Sequence, residues 1–449
     1  MDIGERRQAN ILVLAPVGRI DNLTSTEFQA RLLAAVSSAA DVVIDFSAVE
    51  YISSAGLRAL MTASRQKPKE RRLAVARLNA VVHEIFTISR FSHLVPIFAT
   101  VEAAGAAWET PVRLQPAAPH ADEKGQGETS LRVRFWGTRG SLPAPLRERA
   151  VRGKIRDALL AARGRTLDTP EAIDAFIDHT LPFSVRGTFG GNTSCVEIIT
   201  GGDEYLLCDL GTGVREFGNG VLREHGSARK HTFNVFLSHT HWDHIMGFPF
   251  FAPAYIPGNR ICVYGCHSVL REALRTQHSA PWFPVDFHSL AADLEFITLE
   301  PGHSYDVAGF SVTSIKQFHT GDSYGYRFSQ GGKSIVYSTD CEHKYSQLDE
   351  TYPFVEFYRN ADLLIFDAMY SLGDSVSVKE DWGHSSNVIA VELAQAAQVK
   401  RLALFHHEPV LDDRMIEGVL ADAVRYECIS RPGHKVVVIS AYDGLELEL

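Results

Sequence analysis

The heptapeptide Ser238-His-Thr-His-Trp-Asp-His244 places His239, His241, Asp243 and His244 within six residues, directly after the apolar run FNVFL. Neighbouring imidazolium groups repel one another, so three histidines and a carboxylate this close imply a cation that draws on their lone pairs. Neutral imidazole and carboxylate suit Zn²⁺ best; with more oxygen ligands, Mn²⁺ or Fe²⁺ would also serve. A second chemistry lies far upstream, in DFSAVEYISSAGLRAL, where Ser53 and Ser54 stand between an apolar strand and a helix. A serine there caps the helix, and the free amides of the first turn also suit a phosphate.

The elements that must position these residues fall into two groups. Of the 449 residues, the first 110 hold 12 Lys+Arg against 11 Asp+Glu and only two of the 19 histidines. All six cysteines lie beyond residue 110, and so does the whole negative balance, with 32 Lys+Arg against 43 Asp+Glu there. Before it, ILVLAPVGRI and ADVVIDFSAV have strand character, while TSTEFQARLLAAVSS and SAGLRALMTASRQ have apolar residues at helical spacing, giving the order β-α-β-α-β-α of a small α/β domain. TPVRLQPAAPHADEKGQGET, residues 110–129, has the composition of a linker. Beyond it, short strands alternate with glycine turns, and several end in His or Asp, at the strand edge where α/β sites gather. Two helical segments, RERAVRGKIRDALLAAR and TPEAIDAFIDHT, form an insertion over 145–183.

HxHxDH resembles the metallo-β-lactamase superfamily, and FHTGDSYGYRF, VYSTD and HSSNVIAVELAQAAQVKRLALFHHEP supply further pieces in order. The resemblance implies an αββα sandwich over 130–449 and two divalent metal ions. One would be held by His239, His241 and His319, the other by Asp243, His244 and His406, with Asp340 bridging both. His407 is then a supporting or exposed residue. Two cations ~3.5–4 Å apart would hold a metal-bridging hydroxide at neutral pH. The β-lactam-cleaving members typically have cysteine where Asp340 stands; the adjacent Cys341 is read as core.

FWGTRGS, TFGGNTSCVEI, LLCDLGTGVREFG and HTHWDHIMGFPFF resemble the branch containing ribonuclease Z, the carbon–phosphorus-lyase-associated phosphodiesterase and cyclic-nucleotide phosphodiesterases. This implies catalytic roles for His384, Asp243 and Asp367: His384 as proton donor to the leaving alkoxide, and Asp367 orienting it and keeping it protonated. Asn192 and Ser141, in glycine-rich turns, have two readings, lining the site or serving the turns. No basic arm like that of ribonuclease Z is visible. The acidic balance also argues against long nucleic acid and for a small phosphoester or cyclic nucleotide. The insertion is open to use as a lid, a homodimer contact or simple burial. Thioester or carboxyl-ester hydrolysis of the glyoxalase II kind is the alternative chemistry; a partner-switching module with a sensory metal domain is the alternative class.

Residues 1–109, through VGRIDNLTSTEF, VVIDFSAVEYISSAGLRAL and ISRFSHLVPIFATVEAAGAAW, resemble the STAS domain of anti-sigma-factor antagonists. There the serine two residues before the motif glycine is phosphorylated by a partner kinase. It maps onto Ser54, with Ser53 where Asp often stands. An anti-sigma factor or serine kinase is the implied partner. No window approaches ~18 consecutive apolar residues, and no secretory leader is recognised. The cysteines form no CxxC pair. A cytoplasmic protein with no membrane partner is expected.

Overall fold

The computed structural model describes the chain except residues 9–10, 39–40, 69–70, 108–130, 203, 344–351, 376–378 and 431–432. The expected linker at 110–129 lies outside the described residues.

Strands Ile3–Gln8, Ile11–Pro16, Asp41–Asp45, Leu73–Ala76 and Ile97–Phe98 form, in that order, the sheet of the amino-terminal unit. The chain thus enters on an antiparallel hairpin, Ile3–Gln8 with Ile11–Pro16, absent from the expected alternation. Two runs expected as single strands are each divided. Gly18, at φ +87°, breaks the first, freeing Gly18–Ile20 to pair with Val49–Ile52. In the second, the Asp45 carboxylate accepts the Ser47 amide and turns the chain through Phe46–Ala48. Helices Ser25–Ser38 and Ser54–Gln66 lie where the apolar spacing predicts them.

The larger unit is two seven-stranded sheets packed face to face. The first runs Asp293–Thr298, Arg260–Gly265, Thr232–Phe236, Glu204–Cys208, Cys195–Ile199, Arg132–Gly137 and Glu446–Glu448. The second runs Ser304–Val307, Phe310–Gln317, Ser323–Gln330, Lys333–Ser338, Leu363–Asp367, Arg401–Phe405 and Val437–Ser440. Strand alternation divides the second sheet's side chains. Ile335, Tyr337, Leu363, Ile365, Ala403 and Phe405 face the first sheet. Val336, Leu364, Phe366, Leu402 and Leu404 face outward, beneath helices Asn387–Ala396 and Asp413–Ser430. Burial on both faces explains why the parallel strands read as continuous apolar runs. Helix Gly213–His225 covers the first sheet, which completes an αββα sandwich.

The insertion forms helices Glu148–Ala161 and Pro170–Thr180. No residue of the first is buried, and Val151, Ile155 and Leu159 are exposed, so a burial role for that helix is excluded. Lys154 anchors it, pairing with Asp413 at 2.5 Å and donating to the Gly187 carbonyl at 2.8 Å.

The two units share one apolar core. Helices Ser54–Gln66 and Ala80–Ile88 of the amino-terminal unit pack with Asn387–Ala396 and Asp413–Ser430, and their buried side chains form a single cluster.

Candidate metal centre

The site lies at the carboxyl ends of the strands, where loops from both sheets converge. Thr232–Phe236 leads to His239, Lys333–Ser338 to Asp340, and Arg401–Phe405 to His406. Asp209, Asp340 and His406 have φ of +62°, +52° and +59°. Non-glycine residues hold this left-handed backbone only where surrounding contacts enforce it, and here it turns three side chains inward off their strands.

Two groups of side chains converge. His239, His241 and His319 bring ligand atoms within 4.8 Å of one another, and so do Asp243, His244, Asp340 and His406. His319 Nε2 lies 3.1 Å from His241 Nδ1, and His244 Nε2 lies 3.2 Å from His406 Nε2. Asp340 stands between the groups. Its Oδ1 is 3.8 Å from the Nε2 atoms of both His239 and His319; its Oδ2 is 3.1 Å from His244 Nε2 and 3.3 Å from His406 Nε2.

Outer partners fix which nitrogen faces inward. His244 Nδ1 donates to Asp209 at 2.7 Å, and His319 Nδ1 donates to the Gly383 carbonyl at 2.9 Å. His239 Nδ1 is 3.0 Å from the Ser238 hydroxyl, which itself donates to Asp209 at 2.8 Å. With these protons directed outward, lone pairs converge at the centre. His239 Nε2 is buried with no hydrogen-bond partner. That is an unfavourable arrangement for imidazoles alone and a suitable one for cations, so the donor set fits two divalent ions.

Charge reinforces the arrangement. Burial and the neighbouring His244 hold the His239 pKa well below the usual imidazole value. Burial pushes Asp340 and Asp243 upward, but the surrounding histidines outweigh it and hold both carboxyls well below the usual range.

Beside this centre, His384 Nδ1 donates to Asp367 Oδ2 at 2.8 Å. Burial lowers the His384 pKa, but the Asp367 carboxylate more than compensates and raises it to about 9. Both are buried, and the His384 ring stacks 5.1 Å from that of His406.

Two glycines are needed for close approach. A Cβ on Gly140 would meet His406 Nδ1 at 2.5 Å, and one on Gly383 would meet His319 Nδ1 at 2.2 Å.

The structure thus gathers all seven residues expected as metal ligands, together with His384 and Asp367. Other expectations are refined or corrected. His407 is buried, donating to the Ala441 carbonyl, so the exposed alternative is wrong. Cys341 is fully buried in the core. Ser141 reaches the site through its backbone, whose amide donates to Asp243 at 2.7 Å. Asn192 serves its turn, with its amide N–H on Asp443 and its Oδ1 on Thr212. Ser54 is elsewhere, fully buried between the two units, where its amide donates to Glu392 Oε1 at 3.1 Å and its hydroxyl to Glu392 Oε2. The expected serine side-chain cap is not made: Ser53 occupies the N-cap, but its hydroxyl is buried without a partner.

Sequence reasoning passed over Asp209 and Glu342. Asp209 lies in the quoted run LLCDLGTG, at a strand end before a glycine turn, a signal that could have marked it. It accepts from His244, Tyr337 and Ser238 together. Glu342 accepts the Asp381 and Gly383 amides, contacts no sequence spacing announces.

A fold and site of this kind define a metal-dependent hydrolase class, and comparison with known proteins agrees. The family model "Beta-lactamase superfamily domain" matches residues 205–407, and "Mlab, STAS domain" matches residues 3–96. Ribonuclease Z of Thermoplasma acidophilum is 24% identical over 240 residues, covering 42% of this chain and 73% of that protein. The "Putative anti-sigma factor antagonist BtrV" of Bordetella bronchiseptica is 32% identical over 102 residues, covering 22% of this chain and 88% of that protein. The crystal structure of the metallo-β-lactamase fold protein YhfI from Bacillus subtilis is 19% identical with a TM-score of 0.47, covering 72% of this chain and all of that one. The chain thus carries a β-lactamase-superfamily domain, matched over residues 205–407, preceded by an STAS domain of the anti-sigma-factor-antagonist family. No helix among the described residues is long and apolar enough to cross a membrane.

Proposed function

We propose that the chain is a dinuclear metal-dependent phosphodiesterase acting on a small phosphoester or cyclic nucleotide. The observation that supports this best is the placement of Asp340, one oxygen towards His239 and His319 and the other towards His244 and His406. His239, His241 and His319 would hold one ion and Asp243, His244 and His406 the other, with Asp340 shared. When bound, the ions would polarise a phosphoryl oxygen and activate water; Zn²⁺ suits the donors best, with Mn²⁺ or Fe²⁺ as alternatives.

The chain's own residues supply the rest. Asp367 accepts the Nδ1 proton of His384, which keeps the imidazolium form and leaves Nε2–H to protonate the departing alkoxide. Ser141 N–H fixes the rotamer of Asp243, and Asp209 and the Gly383 carbonyl fix His244 and His319. The net charge of −10 disfavours long polyanions, which supports a small substrate.

The same reading divides the chain into an STAS domain at 1–109 and a hydrolase domain at 130–449, in the cytoplasm, where six free cysteines would stay reduced. It assigns Ser54 as acceptor of a phosphoryl group from a serine kinase. Because Ser54 is fully buried here, the kinase must meet an opened form.

Turnover of bis-p-nitrophenyl phosphate and of S-lactoylglutathione, each with Zn²⁺ or Mn²⁺, tests the activity. Phosphodiester cleavage is the expected result. Cleavage of the thioester alone would replace this reading with the glyoxalase II-like one, and metal-free protein inert towards both would favour a partner-switching role.

A further inference from the structure

The seam between the STAS and hydrolase domains leads, through covalent and hydrogen-bonded steps, to the metal centre. Its middle is the pairing of Ser54 with Glu392, extended by Tyr426, whose hydroxyl donates to Glu392 at 2.5 Å and lies 3.2 Å from that of Tyr51. Arg425 pairs with Glu84, and the Gly373 amide donates to the Ser89 carbonyl at 3.0 Å. Further along helix Ser54–Gln66, Arg58 and Arg65 both pair with Glu380 of the hydrolase domain. Arg58 does so at 3.0 Å.

Glu380 belongs to a short strap, residues 379–384, that ends in Gly383 and His384. The Gly383 carbonyl takes the His319 Nδ1 proton, and His384 is the residue proposed above as proton donor. On the hydrolase side, Glu342 accepts the Asp381 amide at 3.2 Å and the Gly383 amide at 3.1 Å. Asp381 and Gly383 have φ of +66° and +83°. Asp381 is a non-glycine residue in left-handed backbone, which surrounding contacts must maintain. The strap is tied on the hydrolase side by Glu342 and the Lys379–Glu408 pair and on the STAS side by Arg58 and Arg65.

We infer that Arg58 and Arg65 are positioning residues for the hydrolase site, acting through Glu380 on the strap that orients His319 and His384. Negative charge at Ser54 releases that hold. A carboxylate or phosphate at Ser54 would face the Glu392 carboxylate in a buried seam, and at a pH where both are ionised their repulsion drives the surfaces apart. The STAS domain is then a support within the same chain, and any external partner of its Ser54 face competes with Glu392 for it. The activity component rests on the proposed phosphodiesterase reading; the docking component does not.

The test compares the metal-loaded full chain with Ser54→Asp, the Arg58→Ala/Arg65→Ala pair, and Glu380→Gln. Amide hydrogen exchange over 380–387 should rise about tenfold or more in each, and kcat on bis-p-nitrophenyl phosphate should fall about tenfold with KM little changed, as for loss of alignment rather than of binding. Glu392→Gln added to Ser54→Asp turns the repulsion into an amide–carboxylate hydrogen bond and should restore both readouts, which separates release of the seam from misfolding of either domain. Unchanged exchange over 380–387 in the arginine pair, or failure of Glu392→Gln to rescue, would overturn the inference. Should the wild type cleave no phosphodiester, the exchange readout still decides the docking, so failure of the activity reading is told apart from failure of this one.

Discussion

The proposed function gives Asp340 and His384 different parts of the chemistry, and substitution should separate them. His239→Ala and Asp340→Asn should each lower bound metal, measured by elemental analysis, and reduce hydrolysis roughly a hundredfold or more. Full metal content with full activity in both would remove the dinuclear proposal. His384→Gln should keep the metals yet lower kcat by about 10²–10⁴ on an alkyl phosphodiester, and much less on a p-nitrophenyl ester, whose leaving group needs no proton. The pH dependence has a definite sign. With its pKa raised to about 9, His384 holds the donated proton below that value and loses it above, so kcat should fall as pH rises through about 9. The linked stabilisation is complete below the unfolded value near 6.5 and is lost as pH rises through about 9. Asp367→Asn removes the compensating charge and should move the alkaline fall of kcat to lower pH, read from a pH–rate profile.

At the level of elements, the turns matter more than the regular structure. The strands end where parallel packing stops, and the site is built from residues just beyond those ends. Asp209, Asp340 and His406 take left-handed backbone there, and Gly140 and Gly383 stand where a side chain would strike a histidine. Gly383→Ala is the sharpest probe. The new Cβ would press on His319 Nδ1 and would also sit at φ +83°, a strain of roughly 1–2 kcal/mol. The expected outcome is a lower melting temperature together with loss of metal from the His239, His241 and His319 group, measured by calorimetry and metal titration. A variant that loses stability but keeps its metals would assign the glycine to the strap alone.

For the whole molecule, metal and fold should be thermodynamically linked, because the converging lone pairs exist only in the folded chain. Saturating Zn²⁺ at about 100-fold its dissociation constant should add about 2.7 kcal/mol per site, seen as a rise in melting temperature that a chelator reverses. No shift would mean that the cluster holds no ion. In the sequence alone, two regions of different chemistry and the clustered histidines of HxHxDH are legible, because these are local patterns. The αββα class and the full set of expected ligands rested on the resemblance of those motifs to a known superfamily. The sequence determined Ser54 as a distinctive residue but not its surroundings. Tertiary structure alone decided that Asp209 and Glu342 hold the inner residues, and that Ser54 meets Glu392, 338 positions further along the chain. Periodicity records which face of an element is buried, not what buries it. Contacts between distant segments depend on how whole layers pack, which no short stretch of residues encodes.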